Sequence, residues 1–422
     1  MAETAAQIPD TSLATSPWSR PSLRIGALVG GMLCFGLVMV VSAESNGAGL
    51  EGLRNVLLRR LSWVAMGGLA FAIGAVIDYQ AWRRHNLPLL ALAVGVLVAV
   101  LVPGIGSAVN GARRWIRFGV FGFQPSEFAK VALLIWLAAY CERHMEGSDA
   151  EGRSMRRVTT GFLVPLAVIG TMAALVLVEP DFGTSVLISS IGVAVLLLSG
   201  TRLLYVLLVT VAALPLAQAL VFNVPYRLRR VTAFLDPWAH PRGSGYQLVQ
   251  SLIALGSGGI AGKGLGGGSM GFLPAARNDF IFSAVGEQLG FLGSAVLILA
   301  FLWLLWEGIG VALRARDRFA FVLAFGISLL IALQAAVHLA VVTGSVPTKG
   351  LSLPFISAGG SSLFFSLWAA GILVNIACSE ERPEQVEITP WQWDMPGYER
   401  SFYAAARRTG TALWHTITRK GG

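Results

Sequence analysis

The chain has 422 residues, of which 55% are apolar and only 13% charged, with a net charge of +9 and a mean hydropathy of +0.67. A soluble domain carries about 25% charged residues, so a soluble enzyme of this length could not cover its surface with so few. The same figures exclude a disordered chain or a coiled coil. They leave an all-α integral membrane protein, for which membrane lipids are partners and no nucleic acid is expected.

A crossing helix needs about 20 mostly apolar residues. In chain order, the charge-free runs cover residues 25–43, 61–77, 86–112, 158–178, 182–201, 203–226, 288–306, 319–348 and 350–379. A shorter run, 131–141, is extended by Phe128 past Lys130, whose ammonium can snorkel to the interface. About ten transmembrane helices follow, an even number that places both termini on one side. The first run ends in Val41-Ser42-Ala43, which looks like a signal-peptidase site. It is longer than the usual apolar core of about 7–15 residues, and so reads as an uncleaved crossing. Residues 1–23 then form a cytoplasmic tail, 24–379 the membrane domain and 380–422 a second cytoplasmic tail. A large outer loop, about 223–280, lies between helices 7 and 8.

Basic residues should favour the inner loops. Here they are as numerous on the other side, where Arg113, Arg114, Arg117, Arg227, Arg229, Arg230 and Lys349 fall. The basic end of the C-terminal tail favours a cytoplasmic C-terminus. Two readings of the outer arginines compete. They snorkel to lipid phosphates, or they line an extracytoplasmic pocket for an anionic substrate.

Four segments interrupt the apolar rhythm on the outer side: 110–130, the junction 179–184, the loop 223–282 and 347–362. Irregular backbone at membrane depth survives only where protein buries it or a wet cavity borders it, so these segments predict a polar cavity. In the long loop, 246–255 reads as a short amphipathic helix. Residues 256–271, rich in Gly and without a Walker pattern, read as a flexible reach. Asp279 closes this loop. It is either the N-cap of the next helix or a general base whose pKa is set by desolvation against nearby cations. Cys34, Cys141 and Cys378 suggest no disulfide framework, and five scattered histidines suggest no zinc site. His338, within an apolar run, reads as an interhelical hydrogen-bond former.

The segments Gln124-Pro125-Ser126-Glu127-Phe128-Ala129-Lys130, Glu179-Pro180-Asp181-Phe182-Gly183-Thr184 and Tyr226-Arg227-Leu228-Arg229-Arg230-Val231 resemble the SEDS family of membrane peptidoglycan glycosyltransferases. So do Gly243-Ser244-Gly245-Tyr246-Gln247, Asn278-Asp279-Phe280-Ile281-Phe282 and Pro347-Thr348-Lys349-Gly350-Leu351. The resemblance runs from the first crossing to about Cys378. The Pro347-Thr348-Lys349-Gly350 loop and the Arg229-to-Phe234 stretch look more like the division branch than the elongation branch. Ala275, Arg277, His338 and Ala358 depart from the family pattern, whereas Gly359, Gly360, Ser361 and Ser362 keep it.

The resemblance implies polymerisation of lipid II, an undecaprenyl-pyrophosphoryl disaccharide-pentapeptide, on the outer face of the bacterial cytoplasmic membrane during septal wall synthesis. An α-linked donor and a β-1,4-linked product mean one inversion, and so one base. The family's catalytic Asp falls on Asp279. Lys349, Arg114, Lys130 and Arg229 are the candidate cations for the leaving pyrophosphate, with Glu127 orienting Lys130 at i,i+3 and Ser361 and Ser362 among the substrate contacts. Asp181 reads as a loop-holding residue. The sequence names no definite cofactor and leaves open a divalent cation at the pyrophosphate, which could assist the chemistry. The resemblance also implies a class B penicillin-binding transpeptidase and other divisome proteins as partners. A lipid II flippase, which would need alternating access but no general base, and an elongation-type polymerase are the competing readings. In the C-terminal tail, Phe402, Leu413, Trp414 and Ile417 recur at near-helical spacing, suggesting either a helix on the inner leaflet or a disordered tail.

Overall fold

The computed structural model describes residues 20–45, 50–109, 112–119, 121–146, 158–267 and 278–381. Most of the expected tails, along with Ala275 and Arg277, lie outside these residues. Apolar chain in lipid must satisfy its own backbone hydrogen bonds, and the long runs accordingly form helices: α1 (Pro21–Ser45), α2 (Leu50–Val76), α3 (Tyr79–Arg84), α4 (Asn86–Leu101) and α5 (Pro125–Glu146). A π-helical turn, Thr159–Leu163, leads into α6 (Val164–Val178), followed by α7 (Phe182–Leu198), α8 (Leu203–Phe222), α9 (Pro225–Leu235), α10 (Tyr246–Gly258), α11 (Ile281–Arg314), α12 (Arg318–Val342) and α13 (Gly360–Glu381). Among the described residues, six spans are long and apolar enough to cross a membrane: α1, most of α2, the π-turn with α6, α11, α12 and α13. Shorter apolar helices cover 86–101, 182–198 and 203–215.

The protein is not helical throughout. The run expected to continue to residue 112 stops at Leu101, because Pro103 and Gly104 (φ +97°) turn the chain. A three-stranded antiparallel sheet follows, β1 (Gly106–Val109), β2 (Ala112–Phe118) and β3 (Phe121–Phe123), in the order β1-β2-β3. A second difference concerns Lys130. It does not snorkel: α5 is enclosed by its neighbours, and Lys130 is 4% exposed.

Helices α5, α12 and α13 occupy the centre, and α2 lies along α13. At their crossing, Gly371 faces the Phe71 carbonyl, where an added Cβ would stand 2.2 Å from the oxygen; small residues allow this close approach. On the outside, Leu204, Leu208 and Val211 of α8 and Phe291, Val296 and Leu299 of α11 are exposed, as lipid-facing positions should be.

The Gly-rich stretch after α10 is only partly the free reach its composition suggests. Its described part runs beside a break in α11, with Lys263 N bonded to Glu287 O and Leu292 N to Ile260 O. Gly290 sits at φ +67° inside α11, and an added Cβ there would stand 2.4 Å from Gly262 N. Only glycine allows both the conformation and the contact. The two ends of the domain are tied together by Glu381, whose carboxylate accepts bonds from Ser22 N (2.9 Å) and Ser22 Oγ (2.8 Å) at the start of α1. An acidic group is favoured at a helix N-terminus.

Candidate active site

Four parts of the chain meet at one end of the bundle: the turn before α11, the loop between α12 and α13, the α6–α7 junction and the α9 face. Asp279 lies in the first of these. It does not cap α11, whose cap position is Phe280 and which has no side-chain cap bond. The Asp279 carboxylate instead rests on the backbone of Gly350, where an added Cβ would lie 2.9 Å from Oδ2. Among the described residues no hydrogen bond reaches this carboxylate. Burial raises its pKa to about 6, with Arg230 and Arg114 pulling it down and Asp181 pushing it up.

Lys349 stands one residue before Gly350 but leans the other way. Its stem passes Gly183, 3.1 Å from the position a Cβ would take there. Its ammonium lies 5.4 Å from the centre of the Phe182 ring, and the Arg227 guanidinium lies 5.6 Å from the same ring. Burial lowers the Lys349 pKa, and the Asp181 charge opposes that shift. Asp181 therefore does more than hold a loop. It caps α7, accepting from Thr184 N (3.1 Å) and Thr184 Oγ1 (2.9 Å), and its charge acts on both Asp279 and Lys349.

Arg114 projects from β2 to the α6–α7 junction. Its Nε donates to the Glu179 carbonyl at 2.9 Å and its Nη2 to the Pro180 carbonyl. This clasps a turn in which Pro180 has a φ of +32°. The Glu179 side chain is fully buried with both carboxylate oxygens unpartnered, and burial raises its pKa to about 8, which keeps it neutral at pH 7. On α9, Arg230 donates to Thr348 O at 2.9 Å, directly before Lys349. Arg227 and Arg230 are partly buried on one face at i,i+3, whereas Arg229 is exposed. The helix thus presents to the site two arginines that the sequence named only among the outer basic residues, and turns Arg229, the expected leaving-group contact, away.

The other expected contacts have protein partners. Glu127 and Lys130 form a buried 2.8 Å ion pair, and Lys130 Nζ also donates to Gln334 Oε1 at 2.7 Å. Gln334 Nε2 donates to Ser352 O (2.9 Å) and Ser362 Oγ (3.3 Å). Ser361 Oγ accepts from Gln124 N and donates to Gly122 O, each at 2.9 Å, joining α13 to β3. His338 Nδ1 lies 2.7 Å from the Leu351 carbonyl. Together these groups form a wall behind the 349–352 segment. Among the described residues no three or more His, Cys, Asp or Glu side chains are placed to hold a metal ion, so no step is assigned to one.

The family model for the FtsW/RodA/SpoVE cell cycle proteins matches residues 24–382. A probable peptidoglycan glycosyltransferase FtsW of Geobacter metallireducens is 43% identical over 350 residues, covering 82% of this chain and 92% of that protein. Stage V sporulation protein E of Bacillus subtilis is 36% identical over 367 residues, covering 86% and 98%. A solved peptidoglycan synthase complex, described as coordinating polymerization and crosslinking, contains a chain 25% identical with a TM-score of 0.71, covering 85% of this chain and 98% of that one. The Thermus thermophilus rod shape determining protein RodA shares the fold at a TM-score of 0.63 and 24% identity, covering 85% and 97%. This chain therefore belongs to the SEDS family of FtsW, RodA and SpoVE membrane proteins.

Proposed function

We propose that this chain is a peptidoglycan glycosyltransferase of the FtsW type, which polymerises lipid II into β-1,4-linked glycan at the division septum. Asp279 takes the proton from the acceptor 4-hydroxyl as that oxygen attacks the donor anomeric carbon from the face opposite the pyrophosphate. The new C–O bond forms as the old one breaks, the configuration inverts, and undecaprenyl pyrophosphate leaves with the electron pair. Lys349, Arg114, Arg227 and Arg230 supply fixed positive charge for that leaving group. Lys130, held by Glu127, and Ser361 and Ser362 build the wall that shapes the site; Arg229 takes no part. The site faces the outside of the bacterial cytoplasmic membrane, with both termini in the cytoplasm. A class B penicillin-binding transpeptidase and other divisome proteins are the partners.

One observation carries this reading: a partly buried carboxylate that caps nothing, with a pKa of about 6, lies in the field of two guanidinium groups. At neutral pH it is ionised and close enough to the working pH to act as a base. A flippase has no use for such a group.

The test is polymerisation of purified lipid II by the purified full chain, alone and with its transpeptidase. Asp279→Asn removes the basicity with almost no change in shape. We expect a loss of at least about 10²-fold in polymerisation with an unchanged melting profile. Substantial polymer from this variant would reject the base, and headgroup movement across a bilayer without polymer would favour the flippase.

A further inference from the structure

The least exposed arginine among the described residues takes part in no ion pair there. Arg60 lies in α2, inside a span otherwise apolar enough to cross a membrane, and is 3% exposed. A charge so placed is costly and needs a reason. No acidic side chain lies within ion-pair distance of it among the described residues. Its guanidinium instead donates to three successive carbonyls of the loop between α12 and α13: Ser357 O from Nη1 at 2.6 Å, and Ile356 O (3.0 Å) and Phe355 O (3.3 Å) from Nη2. Three carbonyls aimed at one point need a multivalent donor, and the rigid guanidinium fork provides one.

The turn it closes is unusual. Phe355 has a φ of +65°, a region that bulky side chains avoid. From the α1 side, Gly36 presses on the same turn: an added Cβ would stand 2.7 Å from Ile356 Cα. Within the turn, Ser357 Oγ accepts from Leu353 N at 2.8 Å and donates to Asn278 O at 2.7 Å. Asn278 immediately precedes Asp279, and Leu353 follows Lys349 and Gly350 by a few residues. The two segments that place the Asp279 carboxylate on Gly350 therefore share one anchor, and Arg60 holds it.

We infer that Arg60 is a positioning residue for the transfer reaction, setting the register of Asp279 against the Lys349–Gly350 segment through the 353–357 turn. It touches no substrate and acts only through Ser357 and its neighbours. The inference rests on the glycosyltransferase reading for its consequence, but the anchor itself can be measured without turnover.

The experiment uses the purified full chain in detergent with two single variants and their combination. Arg60→Met keeps the stem and removes the donors. Ser357→Ala keeps the carbonyl and removes the bridge to Asn278. Hydrogen exchange at the Leu353 and Ser357 amides should rise about tenfold in Arg60→Met. In lipid II polymerisation, kcat should fall about 10- to 100-fold, the scale of a catalytic group displaced by about an ångström, with KM within about threefold. If both residues act through one route, the double variant should be no slower than Arg60→Met alone, whereas independent effects would multiply. Arg60→Lys should recover part of kcat. Unchanged exchange in Arg60→Met would overturn the anchor. Raised exchange with wild-type kcat, multiplying effects, or a kcat loss that merely follows a lower melting temperature would overturn the positioning role. A wild-type chain that makes no polymer, with exchange still raised in Arg60→Met, would sink the glycosyltransferase reading and reduce Arg60 to a fold-holding residue.

Discussion

The two ends of the helix bundle use the same charged residue types in opposite ways. Helices α11 and α13 begin beside Asp279 and end at the far side, where several charges are matched at close range, although Glu380 pairs with Arg314 only at 3.7 Å. There Arg24 pairs with Glu307 at 2.9 Å, and Trp303 Nε1 donates to the same carboxylate at 3.1 Å. Arg83 pairs with Glu142 at 2.8 Å. Asp317 caps α12 and accepts from Tyr79 Oη and Gln80 Nε2, both at 2.8 Å. At the Asp279 end, the Asp279 carboxylate receives no hydrogen bond and Lys349 makes no ion pair among the described residues. The charges of Arg230, Asp181 and Arg114 act on Asp279, and that of Asp181 acts on Lys349 as well. Unmatched charge in a partly dry setting opposes stability, and Asp279 and Lys349, unmatched within one cluster, are placed to meet a ligand. The Glu127–Lys130 pair belongs by this criterion with the matched charges, although it stands next to the site.

The largest effect should come from breaking that pair. Lys130→Met would leave Glu127, 5% exposed, without its cation. Loss of one partner of a buried pair costs about 3–5 kcal/mol, so thermal inactivation in detergent should occur far below the wild-type temperature. Lys349→Met should do the reverse, keeping the melting profile and lowering kcat about 10²-fold, the scale of one lost electrostatic donor. Equal stability losses in the two variants would erase the distinction between matched and unmatched charge.

Next comes the contact between the two halves of the site. Gly350→Ala puts a methyl group 2.9 Å from Asp279 Oδ2, closer than real Cβ contacts allow. The carboxylate must shift, and polymerisation should drop about tenfold or more, with lipid II binding nearly unchanged. Wild-type turnover in this variant would show that Asp279 is not held against Gly350 when it works.

Much of this was legible in the residues. Uninterrupted apolar runs fix helices because lipid offers the backbone no other partner, and the motif order was enough to identify the family. The three-stranded sheet was hidden for a physical reason. Its strands are three to seven residues long, so pairing with neighbours, rather than composition, stabilises them. Arg114 was named through the family resemblance, but the residues alone did not separate it from Arg113 and Arg117; strand alternation exposes those two and turns Arg114 inward. Asp181 carried no signal of its dual role, since a helix cap and a field-setting anion look alike in sequence. The role of Arg60 left no local signal, because the carbonyls it holds lie almost 300 residues further on.

The pH dependence gives a smaller, graded effect. Asp279 must be ionised to accept a proton, and burial sets its pKa at about 6. Polymerisation should therefore be level above that pH and fall about tenfold per unit below it. An acid limb near pH 4 would mean that the carboxylate is fully hydrated and that the site is wetter than its geometry implies.

The finest discrimination is between neighbouring arginines of α9. Arg230 lowers the Asp279 pKa and donates to Thr348 O; Arg229, exposed one position away, has no such relation to either. Removing Arg230 leaves burial and Asp181 with less opposition, and both raise the pKa. In Arg230→Met the acid limb should thus move to higher pH, lowering activity at pH 6 more than at pH 8. Arg229→Met should leave the limb in place and change activity less than about twofold, as expected for an exposed charge screened by salt. The helical phase makes this a strict comparison, because residues 227 and 230 share a face that 229 does not. A limb that shifts equally in both variants would mean that Asp279 senses the total charge of α9 and not one guanidinium, and the site would then be a diffuse basic surface instead of a placed constellation.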